Sequence, residues 1–164
     1  MTDIPQIRLL KVLFSFRGRH NRAKFWLITF VVFLWMMVAA ALIYAAEAET
    51  YDVAMVLAGL CGVVVGLWVT FANYVKRLHD FNASGWWSIL AIGIAPVLTE
   101  SGDYVGPGAA NILAGVGMLI GFMTLAIFGG LEGTAGDNRF GPDPLQRSDE
   151  STQVTAVPGS RDIG

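Results

Sequence analysis

The sequence predicts an all-α polytopic membrane protein. The predicted architecture is a four-helix transmembrane bundle, preceded by a helix in the bilayer interface and followed by a disordered C-terminal tail. The 164-residue chain is 54% hydrophobic and only 15% charged, whereas soluble globular domains are about 25% charged. Its mean hydropathy is +0.55. The uncharged residues form four long runs, and all 11 lysines and arginines lie outside those runs.

The first segment, residues 1–24, is predicted to be a basic amphipathic interfacial segment. It holds six basic residues and one acid. Arg8, Lys11 and Ser15 follow each other at i, i+3 and i+7, with apolar residues elsewhere around the helix, and Pro5 stands in a tolerated first-turn position. A basic face opposite leucine and phenylalanine favours a helix that lies in the plane of the bilayer interface.

The membrane domain is predicted to cover residues 25–141, with helices at about 25–46, 53–75, 85–99 and 109–131. A spanning helix needs about 20 apolar residues, and the third run has only 15 uncharged residues, Gly85–Thr99. It is still predicted to span, because a re-entrant segment would place the three C-terminal arginines on the wrong side. A short loop is expected between a second helix ending at Val75 and a third starting near Gly85. Residues 142–164 are predicted to be a disordered cytoplasmic tail.

The distribution of charge predicts the orientation. Basic residues occur in residues 1–24, in the Lys76–Arg77 loop and in the C-terminal segment, while the loops Glu47–Asp52 and Glu100–Gly108 carry only acidic charge. By the positive-inside rule, both termini and the central loop are cytoplasmic.

Small and aromatic residues suggest how the helices pack. Two G-x-x-x-G pairs permit close approach of helix backbones, which predicts packing of the second predicted span on the fourth; self-association through the same pairs is the alternative. Three tryptophans at the predicted membrane boundaries are expected to be interfacial anchors. The glycines are Gly62, Gly66, Gly117 and Gly121, and the tryptophans are Trp26, Trp86 and Trp87.

Three distinctive stretches fall on the predicted cytoplasmic side: FSFRGRHNRAKFW (14–26), KRLHDFNASGWW (76–87) and GTAGDNRFGPDP (133–144). In this order they resemble the domain of unknown function 805 family of small bacterial inner-membrane proteins, over about residues 14–144. The resemblance implies an integral inner-membrane protein and no particular activity. The chain departs from the family pattern from Thr99 through the fourth span. The matching positions are Phe16, Gly18, Arg19, Arg22, Phe25, Trp26, Arg77, His79, Asp80, Ser84, Gly85, Trp86, Trp87, Gly136, Asn138, Phe140, Gly141, Asp143 and Pro144.

The three stretches are predicted to meet in a polar cap beneath the bundle. Helices spaced at 8–10 Å make a four-helix bundle only about 20–25 Å across, so side chains at one end are within reach of each other. Arg19 or Arg22 is therefore expected to contact Asp80 or Asp143, with His79 close by. The predicted cap residues are Arg19, Arg22, Arg77, His79, Asp80, Asn138 and Asp143.

The favoured interpretation is a non-enzymatic scaffold, accessory or envelope factor that acts through its cytoplasmic face. One alternative is a small oligomeric channel or transporter, although the predicted spans contain no ionisable residue to line a path. Another is a membrane-interface enzyme using His79 and Asp80. No catalytic, cofactor-binding or metal-ligating residue is predicted, and no cofactor.

The expected partners are the lipid bilayer and a membrane protein or a second copy of the chain, not nucleic acid. Anionic lipid headgroups are also expected to bind, at the basic residues that precede the first span. These residues are Arg17, Arg19, Arg22 and Lys24.

Overall fold

The computed structural model describes residues 5–48 and 52–145. The predicted all-α fold, with four apolar helices after a short N-terminal helix, is confirmed. In the described residues the only β pairing is an isolated bridge between Asn138 and Gly141. Most of the predicted tail, residues 146–164, lies outside the described residues. The helices are α1 Pro5–Phe14, α2 Arg22–Ala48, α3 Val53–Asp80, α4 Trp87–Val105 and α5 Pro107–Gly130.

Three helices are long and apolar enough to cross a membrane: Arg22–Ala46, Val53–Asp80 and Gly108–Gly130. A fourth apolar helix, Trp87–Gly102, is shorter. Large apolar side chains cover the outer faces of these helices; Phe30, for example, is 59% exposed. Exposed apolar faces on all sides suit a lipid environment.

Helix α2 packs along α3 to form the first hairpin. A Cβ atom at Gly62 would lie 3.0 Å from the Cβ of Ala39, and the Trp35 indole donates to the Gly62 carbonyl at 2.7 Å. Gly66 faces the same helix through Met36. The small residues of α3 therefore admit α2.

Helices α4 and α5 form the second hairpin. A Cβ at Gly117 would lie 2.7 Å from the Ala95 carbonyl oxygen, and one at Gly121 would lie 3.5 Å from the Ala95 side chain. The predicted packing of Gly62 and Gly66 on Gly117 and Gly121 is therefore wrong. The glycines do admit neighbouring backbones, but each pair faces the helix next to it in the chain, since short connections favour antiparallel neighbours.

Two helix boundaries differ from the prediction. Helix α3 continues to Asp80 instead of ending at Val75, so the charged residues expected in a loop lie on its last turns. The helix can continue because those side chains find buried partners, described below. Helix α4 begins at Trp87 and continues to Val105, so Glu100 is helical rather than part of a loop.

The two hairpins are joined at one end of the bundle, where α2 and α4 begin and α3 and α5 end. We call this the cap end. A buried hydrophobic cluster of Phe25, Tyr74, Leu78 and Phe128 brings three of the helices together there. Every described hydrogen bond and ring contact between the hairpins lies at this end. Helix α1 packs beside it, with the Trp68 indole donating to the Phe14 carbonyl at 3.2 Å.

Candidate functional site: a buried polar cap

The cap end is covered by three segments that are distant in the sequence. Residues 16–21 precede α2, residues 76–86 end α3 and turn toward α4, and residues 131–145 follow α5. The polar cap is defined here as the hydrogen-bonded contacts among these segments. The sequence-predicted cap residues all lie in or beside it.

Asp80 lies at the centre of the polar cap, between two arginines. Its Oδ1 accepts from Arg19 Nε at 3.0 Å, and its Oδ2 accepts from Arg77 Nη1. The side chains of Arg19, Asp80 and Arg77 are 1%, 4% and 0% exposed. The expected contact between Arg19 and a carboxylate is thus present, with Asp80 rather than Asp143 as the acceptor. The i, i+3 spacing of Arg77 and Asp80 places both side chains on one face of α3.

Arg77 also binds the backbone of three other parts of the chain. Its Nε donates to the Phe128 carbonyl at 2.6 Å, Nη1 donates to the His20 carbonyl at 3.2 Å, and Nη2 donates to the Leu131 carbonyl. The guanidinium lies 4.5 Å from the centroid of the Phe81 ring. A buried charge is tolerated only when it is paired and hydrogen-bonded. The carbonyls that end α5 therefore serve as acceptors for Arg77.

Arg19 holds the third segment in the same way. Its Nη1 donates to the Gly136 carbonyl at 2.6 Å, and its Nη2 donates to the Thr134 carbonyl. Thr134 in turn donates to the Asp80 backbone carbonyl, from its amide at 2.8 Å and its hydroxyl at 2.9 Å. A Cβ atom at Gly133 would overlap the Asp80 carboxylate. Only glycine lets this segment pass so close.

A tight turn completes the third segment. Asn138 and Gly141 exchange two backbone hydrogen bonds, at 3.1 and 3.0 Å, and Gly141 has a φ of +133°. Asp143 accepts from the backbone N–H groups of Gly136 and Leu145, both at 2.9 Å. These two hydrogen bonds lower the pKa of Asp143. Asp143 therefore organises the turn instead of pairing with an arginine, and the hydrogen-bonded segment extends past Pro142, the predicted start of the tail.

His79 and Asp80 belong to different surroundings. The His79 ring is stacked on Phe140 with the centroids 3.8 Å apart, and its Nδ1 is 3.3 Å from the Gly18 carbonyl oxygen. Asn138 donates to the His79 carbonyl at 2.9 Å. The Asp80 carboxylate instead points to the arginines. The two side chains therefore do not form an acid–base pair.

His20 is a buried polar residue that the sequence did not assign to the cap. His20 lies with Nδ1 3.0 Å from Asn73 Oδ1, and Asn73 uses its amide group to donate to Phe25 and Thr29. The oxygen of Asn73 therefore faces His20, which makes Nδ1–H the donor. Burial is the main cause that lowers the pKa of His20 to about 4; the charges of Lys76 and Lys24 act in the same direction, and the Asn73 hydrogen bond opposes them. His20 is neutral in the folded protein at pH 7.

Lys76 is a second buried residue that the sequence did not assign to the cap. It is 2% exposed and donates to the carbonyls of Lys11 and Val12, in the last turn of α1. A cation at a helix C-terminus satisfies carbonyls that have no partner within the helix. Lys76 thereby fixes α1 to α3. The sequence signal that could have identified it is that Lys76 continues the helical repeat of the apolar face of α3.

The remaining predicted residues lie at the rim of the polar cap. Arg22 donates to Glu132 at 3.0 Å, and both side chains are exposed. The Trp26 indole donates to the Gly129 carbonyl at 3.0 Å. Trp86 and Trp87 are 78% and 60% exposed, in keeping with the predicted role as anchors, which stays a prediction.

The polar cap is internally satisfied. Every buried side-chain nitrogen and oxygen in the described parts of the chain has a hydrogen-bond partner. The same residues contain no group of three histidine, cysteine or acidic side chains placed to hold a metal ion. A cavity of about 360 Å³ opens beside the cap, with Arg22, Glu132 and Pro144 in its wall. The arrangement is suited to holding segments together and presenting a surface.

Apolar helices closed at one end by a buried Arg–Asp–Arg cluster define a small helical membrane protein. The chain belongs to the family described as "Protein of unknown function (DUF805)", whose model matches residues 13–142. It is 38% identical over 133 residues to the "Uncharacterized protein YiiR" of Escherichia coli (strain K12), covering 80% of this chain and 86% of that protein. It is 28% identical over 139 residues to the "Inner membrane protein YhaH" of the same strain, covering 84% of this chain and 93% of that protein. No solved structure gave a significant match.

Proposed function

We propose that the chain is a multi-pass protein of the bacterial inner membrane, with both termini and the polar cap in the cytoplasm. We further propose that it acts as a non-enzymatic scaffold or accessory protein, using the cap to dock another membrane protein. The observation that carries the proposal is the buried Arg19–Asp80–Arg77 cluster, which fixes three segments into one surface. Basic charge at the cap end, and a relative named as an inner membrane protein, support the location.

The other two candidate functions find less support. His79 and Asp80 are turned toward different partners, which does not favour a shared catalytic role. A channel requires polar groups along a path through the helices. In the described helices, Asn73 is occupied by Phe25 and Thr29, Thr70 bonds within its own helix to Gly66, and Thr124 bonds similarly to Ile120.

Cysteine labelling tests the orientation. In a Cys61→Ala background, Glu100→Cys is expected to react with an impermeant thiol reagent on intact spheroplasts. Arg139→Cys, at the cap end, is expected to react only after the membrane is opened. Labelling of Arg139→Cys but not Glu100→Cys on intact spheroplasts would reverse the proposed topology.

Exchange of the exposed Arg22–Glu132 pair tests docking. Purification in mild detergent, followed by identification of co-purifying proteins, is expected to recover a partner with the wild type and with Glu100→Gln. The exchanged chain, Arg22→Glu with Glu132→Arg, keeps the internal ion pair but reverses the charges that a partner meets. It is expected to lose the partner. Equal recovery with the exchanged chain would argue that the cap is only a structural clasp.

A further inference from the structure

A second cavity beside the polar cap has a strongly one-sided charge. It has a volume of about 470 Å³ and lies between the end of α1, residues 15–20 and the last turns of α3. No acidic residue is among those that line it. Its five cationic residues are Lys11, Arg17, Arg19, Lys24 and Lys76.

The five cationic side chains differ in whether their charged groups already have hydrogen-bond or ion-pair partners. Arg19 is saturated by Asp80 and by backbone carbonyls. Arg17 and Lys24 are exposed, and the hydrogen bonds described for them start from their backbone N–H groups, to Ser15 Oγ and Asn21 Oδ1. Within residues 5–48 and 52–145, no acidic side chain pairs with Arg17, Lys24 or Lys11. Three cations therefore surround the cavity without an acidic partner in the part of the chain that the structure describes.

The buried wall of the cavity adds a donor. Lys76 is 2% exposed, and its ammonium group has three N–H bonds. The structure describes two acceptors for it, the carbonyls of Lys11 and Val12. The two described acceptors leave one N–H of Lys76 to spare, and Lys76 lines the cavity, where an anion would supply the counter-charge that a buried cation needs.

The position of the cavity identifies the kind of anion. It lies where α1 meets α3, beside the end of an apolar helix long enough to span a bilayer. The neighbouring side chains Leu9 and Leu10 on α1 are 59% and 57% exposed. Cations next to exposed leucines at a helix end are placed to meet a phosphate and its acyl chains together. The placement of the cavity at the depth of the lipid headgroups rests on the proposed function.

We propose that this basic cavity binds the phosphate of an anionic phospholipid headgroup, with Arg17, Lys24, Lys11 and Lys76 as its ligands. The sequence alone suggested four residues for such a role: Arg17 and Lys24, which the proposal keeps, and Arg19 and Arg22. The structure assigns those two to Asp80 and Glu132 and brings in Lys11 and Lys76, which lie elsewhere in the chain.

Native mass spectrometry of the full chain in a neutral detergent tests the site. The detergent solution is titrated with phosphatidylglycerol, with phosphatidylcholine as the zwitterionic comparison and with inorganic phosphate as the free anion. Phosphatidylglycerol is expected to bind at least tenfold more tightly than phosphatidylcholine. Loss of two cation contacts in Arg17→Gln/Lys24→Gln is expected to weaken it about thirtyfold, and each single substitution about fivefold.

Arg139→Gln is the matched control for the single substitutions. It also removes an exposed cation near the cap, but one bonded to the Asn82 carbonyl and outside the cavity. Its binding is expected to equal that of the wild type. Equal binding of the two lipids, or equal weakening by Arg139→Gln, would overturn the site. Displacement of the lipid by inorganic phosphate at equal concentration would overturn the assignment to a lipid. The titration needs neither membrane orientation nor a protein partner, so its failure is distinct from failure of the proposed topology and docking.

Discussion

Asp80 is the residue on which the polar cap depends, because its carboxylate is the shared counter-charge of two buried guanidinium groups. The remaining N–H groups of Arg19 and Arg77 reach backbone carbonyls, which carry only partial charge. With Asp80 neutral, two positive charges would remain in a site with almost no access to water. The cost of such an arrangement is set by desolvation rather than by geometry.

Asp80→Asn is therefore expected to destabilise the protein strongly. Removal of one partner from a buried ion pair typically costs about 3–5 kcal/mol. Glu132→Gln likewise replaces a carboxylate by an amide, but in an exposed pair, and is expected to cost about 1 kcal/mol or less. Thermal unfolding in detergent at pH 7 would compare the two. Similar melting temperatures for both variants would contradict the central role of Asp80.

His20 is expected to make stability depend on pH. The pKa of His20 is lowered from 6.5 to about 4 in the folded protein, so between these values the unfolded chain binds a proton that the folded chain does not. Stability is fully present above pH 6.5 and falls as the pH falls toward 4, by up to about 3 kcal/mol. Carboxylates also titrate in this range. The measurement is therefore the difference between wild type and His20→Gln, which is expected to lose this part of the pH dependence; parallel curves would refute it.

Pairwise contacts at the cap were partly predictable from residue types. The segregation of charge placed Arg19 and Asp80 on the same side of the predicted membrane. An arginine and a carboxylate at the same depth in the bundle were expected to form an ion pair. The interactions of Arg77 and Lys76 were not predictable, because their partners are mostly backbone carbonyls. Every residue has such a carbonyl, so the sequence carries no signal of which one will be free at a helix end.

At the scale of the elements, Gly62 determines how closely α2 approaches α3. Gly62→Ala is expected to destabilise the fold by about 1–3 kcal/mol, because its Cβ would lie 3.0 Å from that of Ala39. Ala39→Gly in the same chain removes the opposing methyl group and is expected to restore most of the loss. Gly115→Ala, with open space around the new Cβ, corrects for the helix propensity of alanine. Failure of Ala39→Gly to rescue the melting temperature would point to a different partner helix.

The existence of the four apolar helices could be predicted from the length of the uncharged runs, but the residues at which the helices end could not. Charged residues normally mark the end of a spanning segment, so Lys76 was read as the start of a loop. The helix continues for another turn because the end of α1, the end of α5 and Arg19 supply partners for those charges. Helix ends here are decided by tertiary contacts, which a hydropathy pattern does not contain.

At the scale of the whole molecule, the two hairpins depend on the segment after α5 to hold the cap closed. A chain ending at Leu145 keeps every described cap contact, whereas a chain ending at Gly130 lacks the carbonyls of Leu131, Thr134 and Gly136. The shorter chain is expected to melt at a clearly lower temperature, since buried N–H groups without acceptors cost about 1–3 kcal/mol each. The chain ending at Leu145 is the control. Equal melting temperatures would show that the hairpins hold together without the cap.

The fold class could be predicted because composition and run length are properties of the whole chain. Which glycines face which helices was not predictable, since a G-x-x-x-G pair reports a close approach without naming the neighbour. The neighbour is fixed by the hairpin connections and by the join at one end of the bundle.

That join has a consequence for the order in which the protein matures during synthesis. Arg19 leaves the ribosome more than a hundred residues ahead of Thr134 and Gly136, whose carbonyls it needs, while Asp80 emerges between them. Until translation passes α5, the two arginines and the aspartate lack the backbone carbonyls at and after the end of α5, and the end of the first hairpin is not covered. Closure of the cap thus coincides with completion of the last helix. A chain interrupted before that point leaves these charged groups uncovered, whereas the finished chain buries them.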